Sequence, residues 1–201
     1  MAKPKASTGL VHVVAREGYL HALEILQLIE VMQRQNLLQI NAHLSEAGAG
    51  SAANVVRNSL IARTALLVVG CYSPTRNGDK HLRVAFEILR DHKLIRNEIA
   101  ERGSADALSE AENLWHNLLR DPRLSSVKHF RDKYTAHIAE PDPNTPLPNY
   151  TEFFEFARET TKLMEKLAHG TGGTTETLDE QLDEMATSAQ QFWRPWEAAP
   201  Q

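Results

Sequence analysis

Within Val127–Ile138, VKHFRDKYTAHI, an arginine, an acid, a tyrosine and a histidine fall inside about two turns of a predicted helix. Arg131 carries a planar guanidinium that can grip a phosphate through paired hydrogen bonds. His137 carries the side chain whose ordinary pKa lies nearest neutrality, so it can take up or release a proton there. On an α-helical wheel of about 100° per residue, Val127, Phe130, Tyr134 and Ile138 share one face, the core side. Arg131 and His137 flank that stripe on opposite edges, about 120° apart around the axis and about 9 Å along it. Arg131, Tyr134 and His137 also form an i, i+3, i+6 row, while Asp132 and Ala136 fall on the far side. Two polar groups at the boundary of an apolar face can line a cleft, and phosphate binding with proton transfer is the chemistry they suit. A plainer reading of the same residues stays open. A boundary arginine lays its stem along the core, and a lone histidine there is simply hydrogen-bonded.

The elements that must hold this stretch are all predicted helices. A loose arm is expected through about Arg16, then a long helix over Gly18–Leu44, with apolar residues such as Leu23, Leu26, Ile29 and Leu37 at helical spacing. Gly48-Ala49-Gly50 ends it, and Ser51 is placed to cap the next helix, which carries Val55, Leu60, Leu67 and Val68. After a turn-rich loop, Ser73–Gly78, Asp79 stands as N-cap of a helix running to Gly103. Ser104 caps the following helix. Asp121-Pro122, a cap followed by proline, starts the one that carries Arg131. A Pro-rich break separates it from the Asn149–Glu152 capping box, whose helix carries Phe153, Phe156, Ala157, Met164 and Leu167. Beyond a hinge at Gly170–Thr175 comes a last acidic helix ending in FWRPWEAAP, where Trp193 and Trp196 can pack on the bundle or on a second copy. No alternating pattern suggests a strand. The predicted fold is all-α, a bundle of six or seven helices over residues 17–169, with an N-terminal arm, 1–16, and a C-terminal helix and tail, 170–201.

Composition bounds the partners. A 201-residue chain with 42% hydrophobic and 24% charged residues builds one sizeable core. The net charge of −4 argues against non-specific wrapping of duplex DNA. Charge is uneven, however: Arg57–Arg96 holds eight Lys/Arg against three acids, and Thr151–Gln201 ten acids against four bases. The basic middle permits an anionic ligand site, although two solvated helix faces explain the same pattern. The single cysteine, Cys71, excludes an intrachain disulfide and reads as a buried small hydrophobe in LLVVGCY. No segment reads as a membrane span of about 20 residues, and a cytoplasmic location is expected.

RDKYTAH resembles the signature of the HEPN superfamily, an arginine followed after four to six residues by a histidine, often with a polar residue such as Asp132 after the arginine. FRDKYTAHI is especially similar to HEPN proteins of phage abortive-infection systems. The resemblance implies a HEPN-like helical bundle and a metal-independent endoribonuclease that needs no cofactor and acts as a homodimer with two motifs facing each other. It assigns proton transfer to His137 and phosphate binding to Arg131, with Asp132 and Tyr134 in support. RNA is the implied substrate, and a toxin–antitoxin setting would add an antitoxin partner. HEPN toxins modified by a partner nucleotidyltransferase carry a tyrosine two residues after the histidine. Here that position is Ala139, which lacks the acceptor.

Lys80, Arg83, Arg90, Lys128 and Lys133 are candidate RNA contacts, with Lys93 and Arg96 extending the basic helix, although a solvated face accounts for that helix equally. Two rival functions remain: a non-catalytic HEPN-like module that binds nucleotide or protein through the same residues, and a metalloprotein built in a helical bundle. The second needs paired Glu-x-x-His motifs, which are missing; His129 and Asp132 could share a metal but lack an evident third ligand. The other histidines, among them His21 and His81, show no clustering along the sequence.

Overall fold

The computed structural model describes residues 5–136 and 144–197, with 134–136 described by their backbone alone. Among the described residues there are nine α-helices and no strand. They are α1 Thr8–Gln35, α2 Leu38–Glu46, α3 Gly50–Gly70, α4 Leu82–Asp91, α5 Lys93–Arg102, α6 Ala105–Arg120, α7 Pro122–Phe130, α8 Tyr150–Gly170 and α9 Leu178–Trp193. A π-helical turn, Arg131–Ala136, continues α7, and a short 3-10 turn, Arg194–Trp196, follows α9.

Helix α1 begins well inside the stretch expected as a loose arm. Ser7 Oγ accepts from the Leu10 N–H at 3.1 Å, and Val11 and Val14 are buried. Two further differences raise the helix count above the expected six or seven. The long first helix breaks at Leu37, whose extended backbone (φ −62°, ψ 133°) starts α2 and leaves Leu38 89% exposed. The helix expected over 79–103 breaks at His92 (φ −127°, ψ 83°), turning α5 away from α4. Neither break has a glycine or proline to announce it.

The core forms around α1, which packs on α8, α9, α3 and α4, while α6 lies along α8. Val14, Gly18, Ala22, Ile25 and Ile29 of α1 recur at helical spacing and are all buried. From α8, Phe153, Phe156, Ala157, Met164 and Leu167 meet them, as the spacing predicts. Burying a side chain such as Phe156 contributes on the order of 1.5–3 kcal/mol. Tyr72 stacks on Trp115 at 5.4 Å, Trp115 on Phe86 at 4.7 Å, and the Tyr72 hydroxyl shares a buried 2.9 Å hydrogen bond with Thr160.

Helix α3 is apolar on most sides. Ile61, Ala65 and Val68 enter the core, whereas Val55, Val56 and Leu66 are exposed. By length and composition alone α3 could cross a membrane, a candidate span that the sequence reading passed over; 33% of that apolar window is buried inside the bundle. At the other end of the chain, Trp193 packs on its own bundle, its Nε1–H donating to Val31 O at 2.9 Å. The Trp196 carbonyl meets His43 Nδ1 at 2.8 Å, so both tryptophans are engaged within the chain.

Candidate functional site

The helix bearing Arg131 is fixed at its start by chemistry that the sequence announces. Asp121 Oδ1 accepts from the Arg123 N–H at 2.8 Å, and Pro122 occupies the first turn, where its missing N–H costs nothing. The Arg123 guanidinium bonds Asp121 at 2.6 Å and reaches Glu159 of α8 at 2.9 Å, tying the start of α7 to α8. This hydrogen bond holds the Asp121 carboxyl below its usual range, and Arg123 is raised in turn. Val127, fully buried, anchors the middle.

At Arg131 the α-helix gives way to a π turn. The Arg131 N–H still reaches back to the carbonyls of Val127 and Lys128, but Arg131–Ala136 pair five residues apart. The α-helical wheel therefore misplaces this stretch. It puts Asp132 on the far side, whereas Arg131 and Asp132 line one cleft and Arg131 Nε lies 2.6 Å from Asp132 Oδ1. π turns are rare and recur at functional sites. Of the Tyr134 side chain nothing is described, and His137 lies outside the described residues.

The cleft has a volume of about 610 Å³. The π turn packs on α3 and forms one wall. Helix α1 contributes Gly18 and His21, and the loop between α3 and α4 contributes Arg76, Asp79, Lys80 and His81. That loop is pinned at its base: the Arg83 N–H and Nε–H donate to Cys71 O and Tyr72 O, both at 3.1 Å. Asp79 does not cap α4, as its sequence position suggests. Its Oδ2 accepts from the Arg76 N–H at 2.6 Å and lies 3.3 Å from His81 Nε2, and α4 starts only at Leu82. Among the described residues the cleft thus holds three permanent cations, two acids and two imidazoles, an arrangement suited to an anion carrying hydrogen-bonding groups.

The remaining candidates are dispersed. Lys80 joins the Arg131 cleft. Arg83 staples the loop and places its guanidinium 5.9 Å from the Trp115 ring centroid. Arg83 and Arg90 line a separate groove of about 510 Å³ together with Lys93 and Arg96. There Arg90 pairs with Asp91 through two hydrogen bonds and Arg96 with Glu112 likewise. Lys128 is exposed on α7 and Lys133 half-buried on the π turn. The histidines that look scattered along the chain are partly gathered by the fold, since His21 and His81 open on the same cleft as Arg131. The signal for this was the charged run RNGDKH between turn residues, because loops on a rigid scaffold carry binding groups.

Among the described residues no group of three or more His, Cys, Asp or Glu side chains is placed to hold a metal ion. Cys71 is buried, and burial pushes its thiol up to about 12, so it acts as a small hydrophobe.

A family model described as HEPN_AbiU2 (AbiU2) matches residues 10–192, which include the Arg131 helix and every element that lines its cleft. No curated protein and no solved structure gives a match.

Proposed function

The chain belongs to the HEPN_AbiU2 family, a HEPN-type abortive-infection family, and from that premise we propose that it is a metal-independent endoribonuclease of phage defence. The observation that carries this reading is the opening of Arg131 into a polar cleft on a π turn, with Asp132 against its guanidinium. Such a group can hold a phosphate and stabilise the charge that builds on it during transfer.

In this reading the enzyme works as a homodimer in the cytoplasm. Neutral His137 of one protomer takes the proton from a ribose 2′-hydroxyl as its oxygen attacks the adjacent phosphorus. The partner's His137, protonated, gives its proton to the departing 5′-oxygen, leaving a 2′,3′-cyclic phosphate and a free 5′-hydroxyl. Near pH 7 one neutral and one charged imidazole coexist, so no metal ion is needed to activate the nucleophile. Asp132 orients Arg131, and Tyr134 is the further supporting residue that the family resemblance implies. An antitoxin partner belongs to the same reading if the protein acts as a toxin. The test is cleavage of single-stranded RNA in the presence of EDTA, by the unaltered protein and by His137→Ala. Equal cleavage by the two proteins removes the proposal.

A further inference from the structure

The loop between α3 and α4 has so far only a place in the cleft. Its form is set by its own bonds: Asp79 accepts from the Arg76 N–H at 2.6 Å, Gly78 takes a positive φ of 86°, and Arg83 pins the base to Cys71 and Tyr72. These bonds have an electrostatic consequence. The loop's one acid is occupied by backbone and by His81, while the side chains of Arg76 and Lys80 are exposed and meet no acid among the described residues. Asp132, the cleft's other acid, lies against Arg131. Among the described residues the cleft's two acids are therefore engaged, and its loop wall presents two cations that no acid pairs. The groove on α4–α6 differs, because carboxylates neutralise Arg90 and Arg96 there.

We infer that this loop is a substrate-gripping arm: Arg76 and Lys80 contact backbone phosphates flanking the one held by Arg131. The ligand class is a single-stranded nucleic acid of several phosphates. A cavity of about 610 Å³ lies in the range of small-ligand pockets, so it takes a nucleotide of a single strand and leaves the exposed loop cations for the phosphates beside it. The inference rests on the ribonuclease reading only in taking that strand to be RNA.

Each phosphate contact with a single strand adds about 0.7 to the slope of log affinity against log salt concentration. The experiment is fluorescence anisotropy, across a salt series, with a labelled oligoribonucleotide that is 2′-O-methylated throughout and cannot undergo 2′-attack. Removing both cations in Arg76→Ala/Lys80→Ala makes the slope shallower by about 1.4. Arg90→Ala, in the other groove, leaves it unchanged. An unaltered slope in the double variant, equal flattening by Arg90→Ala, or no binding by the unaltered protein overturns the arm. Cleavage of unmodified RNA is scored separately. A flattened slope without any cleavage keeps the arm and removes the ribonuclease; cleavage with an unaltered slope removes the arm alone.

Discussion

Arg131 and Asp132 are neighbours in the chain, and their side chains meet, with Nε of the arginine 2.6 Å from Oδ1 of the aspartate. Adjacent residues on an α-helix point well apart and do not face each other. Long side chains can still meet across that angle, as Arg90 and Asp91 do on the regular helix α4; what sets Arg131 and Asp132 apart is that both line one cleft, on a π turn. The aspartate can then set the angle at which the guanidinium meets a phosphate.

Removing the guanidinium tests the phosphate role directly. Arg131→Ala is expected to lower single-turnover RNA cleavage by about 10²–10³-fold, the usual loss when one donor to developing charge is removed. Asp132→Ala acts through Arg131 and is expected to cost up to about 10²-fold, falling on kcat more than on KM. Asp132→Glu should recover part of it. A purely structural Asp132 would instead show a lowered melting temperature and no rescue.

His137 carries the proton transfers in the proposed reaction, so its removal should abolish cleavage while leaving binding of a 2′-O-methylated strand intact. The unaltered protein is expected to show a bell-shaped pH dependence of kcat, the mark of one group acting as base and another as acid. EDTA should change neither limb. Loss of activity in EDTA, restored by a divalent cation, would point to a metal-assisted reaction instead.

Much of the scaffold could be read from local chemistry, because local chemistry decides it. Ser104, the Asp121-Pro122 pair and the Asn149–Glu152 capping box each start a helix where predicted, with the expected side-chain bonds. The core positions of α8 follow from spacing alone. What escaped was decided by tertiary packing. Asp79 has the composition of a cap, yet its carboxylate closes a loop. The breaks at Leu37 and His92 lack any breaker residue, and the π turn has no sequence signature that a wheel of uniform pitch can show. His21 and His81, far apart in sequence, line one cleft because the fold packs α1 against α3 and α4, the helices that the loop joins.

The packing of α6 on α8 makes a stability prediction away from the site. A Cβ on Gly170 would stand 2.8 Å from the backbone N and Cα of Leu108, closer than backbone atoms can yield cheaply. Overpacking of this kind costs about 1–3 kcal/mol. At about 2–4 °C per kcal/mol for a chain of this size, Gly170→Ala should melt several degrees lower by calorimetry. Cleavage per folded molecule should be unchanged, since Gly170 is remote from the Arg131 cleft. An unchanged melting temperature would show that the two helices do not approach this closely.

The pairing of Asp121 with Arg123 predicts how stability varies with pH. The hydrogen bond from Arg123 lowers the Asp121 pKa in the fold below its ordinary value of about 3.9. A depressed folded pKa means that the unfolded chain binds the proton more readily. The stabilisation is therefore fully present above about pH 4 and lost as pH falls through the folded value. Asp121→Asn isolates the charge, because asparagine caps a helix about as well as aspartate. The variant should be less stable than the unaltered protein in denaturant unfolding at pH 7, and the gap should close as pH falls from about 4 towards 2. A gap that persists undiminished at pH 2 would mean that Asp121 stabilises α7 as a cap and not through its charge on Arg123.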